Sequence, residues 1–361
     1  MKLTPLIFVT GLCLAACQAA PEPLGEVVVM LDWLPNTNHS GLFVAQELGY
    51  FDEVGLQVQI IQPGEVFAEQ AVVGGAADFG VSFQEQITLA RGDGQPLVSI
   101  AAILQHNSSG FAARGELDAA RPADWEGLRY GSFGSPFEQP TLRVLMECDQ
   151  ANFDQLEIVE TGFADPLALL DAGQIDLAWI FRGWQGIQAE QKNIDLDLVM
   201  MEDWFDCIPD YYTPVLIASE TTLSSRPAVV RAFLAAVSRG YTFAIQDPEE
   251  AAAILLRAAP ELEPALVQAS QAWLSPQYQA DAPRWGDQAL TRWEQYAQWM
   301  ESTGILAKPI DPAQANRRSD SRSCSFRYRR GRPGSATRPV RPRARDFRAP
   351  APRVRRRERP C

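Results

Sequence analysis

Within the eight residues Asp32-Trp33-Leu34-Pro35-Asn36-Thr37-Asn38-His39 the chain gathers a carboxylate, an indole, an imidazole and several amide or hydroxyl groups. They follow the apolar run Val27 to Leu31. Pro35 turns the chain, and Asn36, Thr37 and Asn38 are suited to cap a helix starting near Gly41. A strand, a polar turn and a helix N-terminus in that order belong at the carboxyl edge of an open α/β sheet, where ligands bind. A second stretch, Gly131-Ser132-Phe133-Gly134-Ser135-Pro136, again runs from strand to helix. Its glycines allow close backbone approach, and its N–H groups would suit a phosphate or a polarised oxygen. No lysine or arginine lies beside it, so Gly131, Phe133, Gly134 and Ser135 read as ligand contacts with phosphate left open. A third, Trp179-Ile180-Phe181-Arg182-Gly183-Trp184, alternates at a strand end. Trp179 reads equally as core, whereas Trp184 in its Gly-bounded turn could stack on a flat heteroaromatic opposite Trp33.

The elements that must position these groups alternate short apolar runs with helical patterns, the mark of an α/β chain with parallel-rich sheets. Strands are expected at 27–31, 56–61, 79–82 and 97–104, then at 128–131, 156–159, 176–180 and 196–200. The polar run 105–110 reads as one crossing between lobes and 210–217 as the return. Four helical patterns from Val229 to Met300 are expected to pack on the first lobe. This divides the body into a discontinuous lobe, 26–106 with 214–316, and a continuous one, 107–213, which can close about two hinge segments.

The overall charge of −13 conceals a division. Residues 1–316 carry 42 acidic and 15 basic side chains, a net of −27, while 317–361 carry 3 and 17, a net of +14. Such an acidic body repels phosphates, and no nucleic-acid partner is expected. The tail, rich in Arg and Pro without apolar periodicity, reads either as a basic arm or as an out-of-frame extension. It is set aside as the latter. With only His39 and His106 as histidines and no Cys-x-x-Cys pair, no metal site is expected. Cys148 and Cys207 could pair in an oxidising compartment, although 59 positions of separation fix no distance. Residues 1–16 have the short apolar run of a secretory signal. Leu14-Ala15-Ala16-Cys17 resembles a bacterial lipobox, implying lipidation at Cys17, a tether over 17–25 and a periplasmic, membrane-anchored location.

The stretch 31–39 with Gly49-Tyr50-Phe51, Asp78-Phe79-Gly80-Val81-Ser82-Phe83-Gln84-Glu85, Gln105-His106-Asn107, 131–136, Asp210-Tyr211-Tyr212-Thr213-Pro214-Val215 and Pro283-Arg284-Trp285 resembles the thiamine-pyrimidine-precursor binding proteins of bacterial ABC importers. Their family includes the fungal thiamine pyrimidine synthases. The resemblance spans roughly 26–315. It implies a two-lobed periplasmic binding protein type II fold, an aminopyrimidine ligand, permease and ATPase partners, and neither cofactor nor catalysis. Trp33, Asn36, Asn38, His39, Glu85, Tyr211 and Tyr212 would then contact the ligand, with Trp184 and the 131–135 loop. A synthase using pyridoxal phosphate is the competing reading. The lysine and histidine that follow the third strand in the fungal proteins fall here on Ser82 and Gln86, which supply neither amine nor imidazole. Binding of riboflavin, an alkylsulfonate or another small solute would keep the fold and change the pocket.

Overall fold

The computed structural model describes residues 23–316 apart from Glu65 and Phe163. Residues 1–22, on which the expected signal, Cys17 and most of the expected tether fall, and the 317–361 tail lie outside the described residues. The strands, in chain order, are β1 (Gly25–Met30), β2 (Leu56–Ile61), β3 (Phe79–Ser82), β4 (Leu97–Ala102), β5 (Ser109–Arg114), β6 (Arg129–Ser132), β7 (Glu157–Glu160), β8 (Leu177–Phe181), β9 (Leu196–Met200) and β10 (Val215–Ser219).

They form two five-stranded sheets of matching design, ordered β2-β1-β3-β10-β4 and β7-β6-β8-β5-β9. In each sheet four strands run the same way, while β10 and β5 enter antiparallel to both of their neighbours. Strands covered on both faces must be apolar on both, which accounts for the continuous runs Val-Val-Val-Met in β1 and Leu-Ala-Trp-Ile-Phe in β8. In β8 the alternation puts Trp179 in one core layer and Ile180 in the other.

Two expectations are corrected here. The segments read as crossings run on into β5 and β10, each an inner strand of its sheet. In β5 the small residues of Ser-Gly-Phe-Ala-Ala hid the strand, and Gly110 is needed because a side chain there would strike the Val199 carbonyl on β9. In β10 the run Val-Leu-Ile-Ala was masked by the polar lead Asp210 to Thr213.

A third correction concerns helix Leu290–Ser302, expected to lie wholly on the first lobe. Trp293 does enter the core around β10 of the first sheet, but Tyr296 and Met300, together with Leu306 beyond the helix, complete the core of the second. The Tyr296 ring lies 4.3 Å from that of Tyr211. Helix Pro227–Gln246 is long and apolar enough to cross a membrane by composition, yet it is a core helix packed on Ser40–Glu47. The two helices meet so closely that a side chain on Gly240 would overlap the Gly41 carbonyl. Cys148, ending helix Glu138–Cys148, is disulfide-bonded to Cys207 with their Cα atoms 6.3 Å apart, so the pairing left open by the sequence is made.

Candidate ligand-binding cleft

A cleft of about 410 Å³ opens between the sheets. Its walls are chiefly the segments that leave the carboxyl ends of β1, β2, β3, β6, β7 and β8.

The turn after β1 is held from behind. Asn36 caps the next turn by accepting from the Asn38 N–H at 2.9 Å, and its own N–H donates to His39 Nδ1 at 3.2 Å. With Nδ1 accepting, Nε2 carries the proton and donates to Asp32 Oδ1 at 2.6 Å. The hydroxyls of Tyr278 and Tyr241 donate to the carbonyls of Thr37 and Asn38, at 2.5 and 2.6 Å. This leaves Trp33, Asn36 and Asn38 on the cleft wall, with Asn38 Oδ1 buried and unpartnered. His39, wholly buried, does not line the cleft; it fixes Asp32, which does.

Glu85 stands in the first turn of helix Gln84–Gly92, following β3. It lines the cleft at 3 % exposure, and its Oε2 is also buried without a partner. Burial pushes its pKa up to about 8 against hydrogen bonds from its backbone and from Tyr211, with Glu69 adding to the rise. Glu69 is raised too, chiefly by burial, although it accepts the Ser82 hydroxyl. Gln86 reaches across the cleft to Ser135 Oγ at 3.2 Å.

On the opposite wall Phe133, Gly134 and Ser135 line the cleft. Gly134 has φ +91°, a conformation that favours glycine. Gly131 does not face the cleft: its missing side chain makes room for Ile175 and Thr161, a packing role. The loop N–H groups are already taken. Glu138 Oε2 accepts from Phe133 N–H at 3.1 Å and from the Tyr130 hydroxyl at 2.7 Å; Oε1 accepts from Ser135 N–H at 2.6 Å. Burial raises the pKa of Glu138 and these bonds pull it back.

Trp184 lines the cleft, but its turn is anchored to the first lobe rather than opposed to it. Gly183 lies against Trp273 and Leu274, and the indole packs on the first sheet's core. Two further expected contacts lie outside the cleft. Tyr211 is buried behind Glu85 against Tyr296. The Tyr212 hydroxyl accepts from Ala289 N–H at 2.8 Å, and its ring lies under the Arg292 guanidinium. The sequence reading missed Phe67, Phe83, Phe137 and Phe181, which with Trp179 complete the aromatic lining. Phe83 and Phe181 face each other from the two lobes, 6.3 Å apart and 23° from parallel. Their positions one residue past β3 and at the last residue of β8 were the available signal.

Two sheets of this order with a ligand-sized cleft at their carboxyl edges are the periplasmic binding protein fold. Solved structures agree: the alkanesulfonate-binding protein SsuA of Xanthomonas axonopodis pv. citri superposes with a TM-score of 0.64 at 16 % identity, over 83 % of this chain and 100 % of that one. The chain belongs to the NMT1/THI5-like family, whose model matches residues 36–251. It is 29 % identical to the formylaminopyrimidine-binding protein of Halalkalibacterium halodurans over 83 % of this chain and 93 % of that one. It is 25 % identical to the 4-amino-5-hydroxymethyl-2-methylpyrimidine phosphate synthase of Legionella pneumophila, over 67 % and 77 %.

Proposed function

We propose that this chain is the extracytoplasmic solute-binding subunit of an ABC importer and that it takes up an aminopyrimidine precursor of thiamine, of the formylaminopyrimidine or hydroxymethylpyrimidine type. The observation that carries the reading is the pair of buried, unpartnered oxygens, Asn38 Oδ1 and Glu85 Oε2, on a wall of aromatic rings. A buried polar atom without a partner costs about 1–3 kcal/mol, and a ligand that completes its bonds recovers that cost. An exocyclic amine suits Asn38 Oδ1, which only accepts. Glu85, a neutral acid near pH 7, can donate to a ring nitrogen or accept from an amine once ionised. The rings supply stacking faces worth about 0.5–1.5 kcal/mol each beyond burial. A volume of about 410 Å³ suits a one-ring ligand.

The similarity to a synthase makes catalysis the second reading. Against it, the Ser82 hydroxyl is given to Glu69 and the Gln86 amide to Ser135, so neither position offers the amine or imidazole that the pyridoxal phosphate chemistry needs. The Cys148–Cys207 disulfide favours an oxidising compartment. The lipobox-like 14–17 favours lipid anchoring at Cys17; release of the Cys17→Ala protein from the membrane fraction of a Gram-negative host would support it, and unchanged fractionation would remove it.

Native mass spectrometry of protein purified without refolding, followed by titration with formylaminopyrimidine, hydroxymethylpyrimidine, riboflavin, an alkylsulfonate and pyridoxal phosphate, tests the ligand. A pyrimidine dissociation constant on the order of micromolar or below is expected. Binding of a flavin or sulfonate alone would leave only the fold, and turnover of pyridoxal phosphate would establish the synthase reading.

A further inference from the structure

The loop after β6 has the attributes of an anion site: a strand-to-helix turn, a glycine at φ +91° and N–H groups converging near the N-terminus of the eleven-residue helix Glu138–Cys148. What occupies the focus of those groups is a carboxylate of the chain itself. Glu138 is wholly buried. Its Oε2 takes the Tyr130 hydroxyl and the Phe133 N–H, and its Oε1 takes the Ser135 N–H, with the Ser132 hydroxyl at 3.4 Å. Gly134 N–H, the remaining amide of the turn, donates to Ser132 Oγ at 3.1 Å. Its hydrogen-bond partners, two backbone amides and two hydroxyls, all donate to it, while burial holds its pKa above the ordinary value. No amide of residues 133–135 is left for a second anion. The cleft beyond the loop offers no compensation: Asp32, Glu69, Glu85 and Asp93 line it, and among the described lining residues there is no lysine, arginine or histidine.

We propose that Glu138 is a specificity-determining residue which fills the loop's anion site from within, so that the cleft admits an uncharged pyrimidine and rejects its phosphate monoester. This rests on the ligand class proposed above and deepens it. The residue acts without touching the ligand, by occupying the donors a phosphate would need in a cleft whose described ionisable lining residues are all acidic. The consequence is a carrier for the free alcohol or amine, the form left after the phosphate ester has been hydrolysed. A phosphatase-class reaction must therefore precede uptake wherever the source is a phosphate ester.

The test uses the full chain and calorimetric titration with 4-amino-5-hydroxymethyl-2-methylpyrimidine, its phosphate monoester and inorganic phosphate. The wild-type protein is expected to prefer the alcohol to the ester by about a hundredfold or more, and to ignore inorganic phosphate. Glu138→Gln keeps the volume but replaces one accepting oxygen with an amide nitrogen that cannot accept, freeing a loop N–H; it should narrow the preference at least about tenfold by strengthening the ester. Glu138→Ala with Tyr130→Phe, which empties the loop without orphaning the tyrosine hydroxyl, should gain affinity for inorganic phosphate. It carries the same comparison if the glutamine variant does not fold. A wild-type protein that binds the ester as tightly as the alcohol overturns the proposal whatever the variants do. So does an unchanged preference in a folded variant. The phosphate arm does not depend on the pyrimidine. A variant that gains phosphate while the wild type binds no pyrimidine would sink the ligand assignment and keep the role of Glu138.

Discussion

Ser270, buried in a helix of the first lobe, donates its hydroxyl to the carbonyl of Gly183, in the turn that follows the second lobe's strand β8. The same hydroxyl lies 2.5 Å from Thr37 Oγ1, so one side chain ties the turn bearing Trp33 to the turn bearing Trp184. Removing it leaves a buried carbonyl and a buried hydroxyl short of a partner. Ser270→Ala should therefore cost about 1–3 kcal/mol, a few degrees in Tm, and weaken ligand binding through misplacement of both rings. Calorimetric unfolding together with a binding titration checks this; unchanged affinity would show that the turns hold their places independently.

Trp33 is expected to provide a stacking face directly. Trp33→Ala should raise the ligand Kd by tens-fold or more with little effect on folding, because the ring is only partly buried in the free protein. An equal loss of Tm and affinity would recast the residue as structural.

Glu85 makes stability depend on pH. Its folded pKa of about 8 lies above the ordinary 4.5, so the folded chain holds this proton while the unfolded chain releases it. The contribution of Glu85 is then complete below pH 4.5 and is lost as pH rises through about 8, by on the order of a few kcal/mol. Glu85→Gln should remove that decline. Urea unfolding at pH 5 and pH 9 separates the cases: parallel losses in wild type and variant would mean that Glu85 does not titrate as its burial requires.

His106 adds a second dependence of the same sign at the interlobe crossing. Its Nδ1 lies 2.7 Å from Asp210 and its Nε2 3.1 Å from Asp281. The Asp210 hydrogen bond holds its pKa above the ordinary 6.5, against burial and the nearby Arg292. The protonated pair contributes its full stability below pH 6.5 and loses it as pH rises through the raised folded value. His106→Gln should flatten this part of the profile. A wild-type advantage that persisted unchanged to pH 9 would contradict it.

How far the sequence could be read depended on whether a property was local. The 32–38 turn was legible because capping and strand-end position are written in neighbouring residues. His39 was misplaced because an imidazole inside a polar turn looks like a ligand contact until its two nitrogens are traced to Asn36 and Asp32. Tyr211 and Tyr212 share a motif with the crossing, yet what decides their roles are Tyr296 and Ala289, more than seventy positions away. Aromatics at strand ends such as Phe83 and Phe181 carry no local sign of whether they meet a core or a cleft. The loop at 131–135 advertised its free N–H groups, but the residue that consumes them lies in the following helix and must first fold back.

Helix Leu290–Ser302 sets when this chain can become a protein. The second lobe's core, built around Phe111, Trp125 and Tyr130, stays open on one side until Tyr296, Met300 and Leu306 arrive. A nascent chain therefore cannot seal that lobe until nearly all of its folded length has been synthesised, and contacts of such sequence separation form slowly. Until then the second lobe lacks one side of its core, so what the ribosome has made is not yet locked shut.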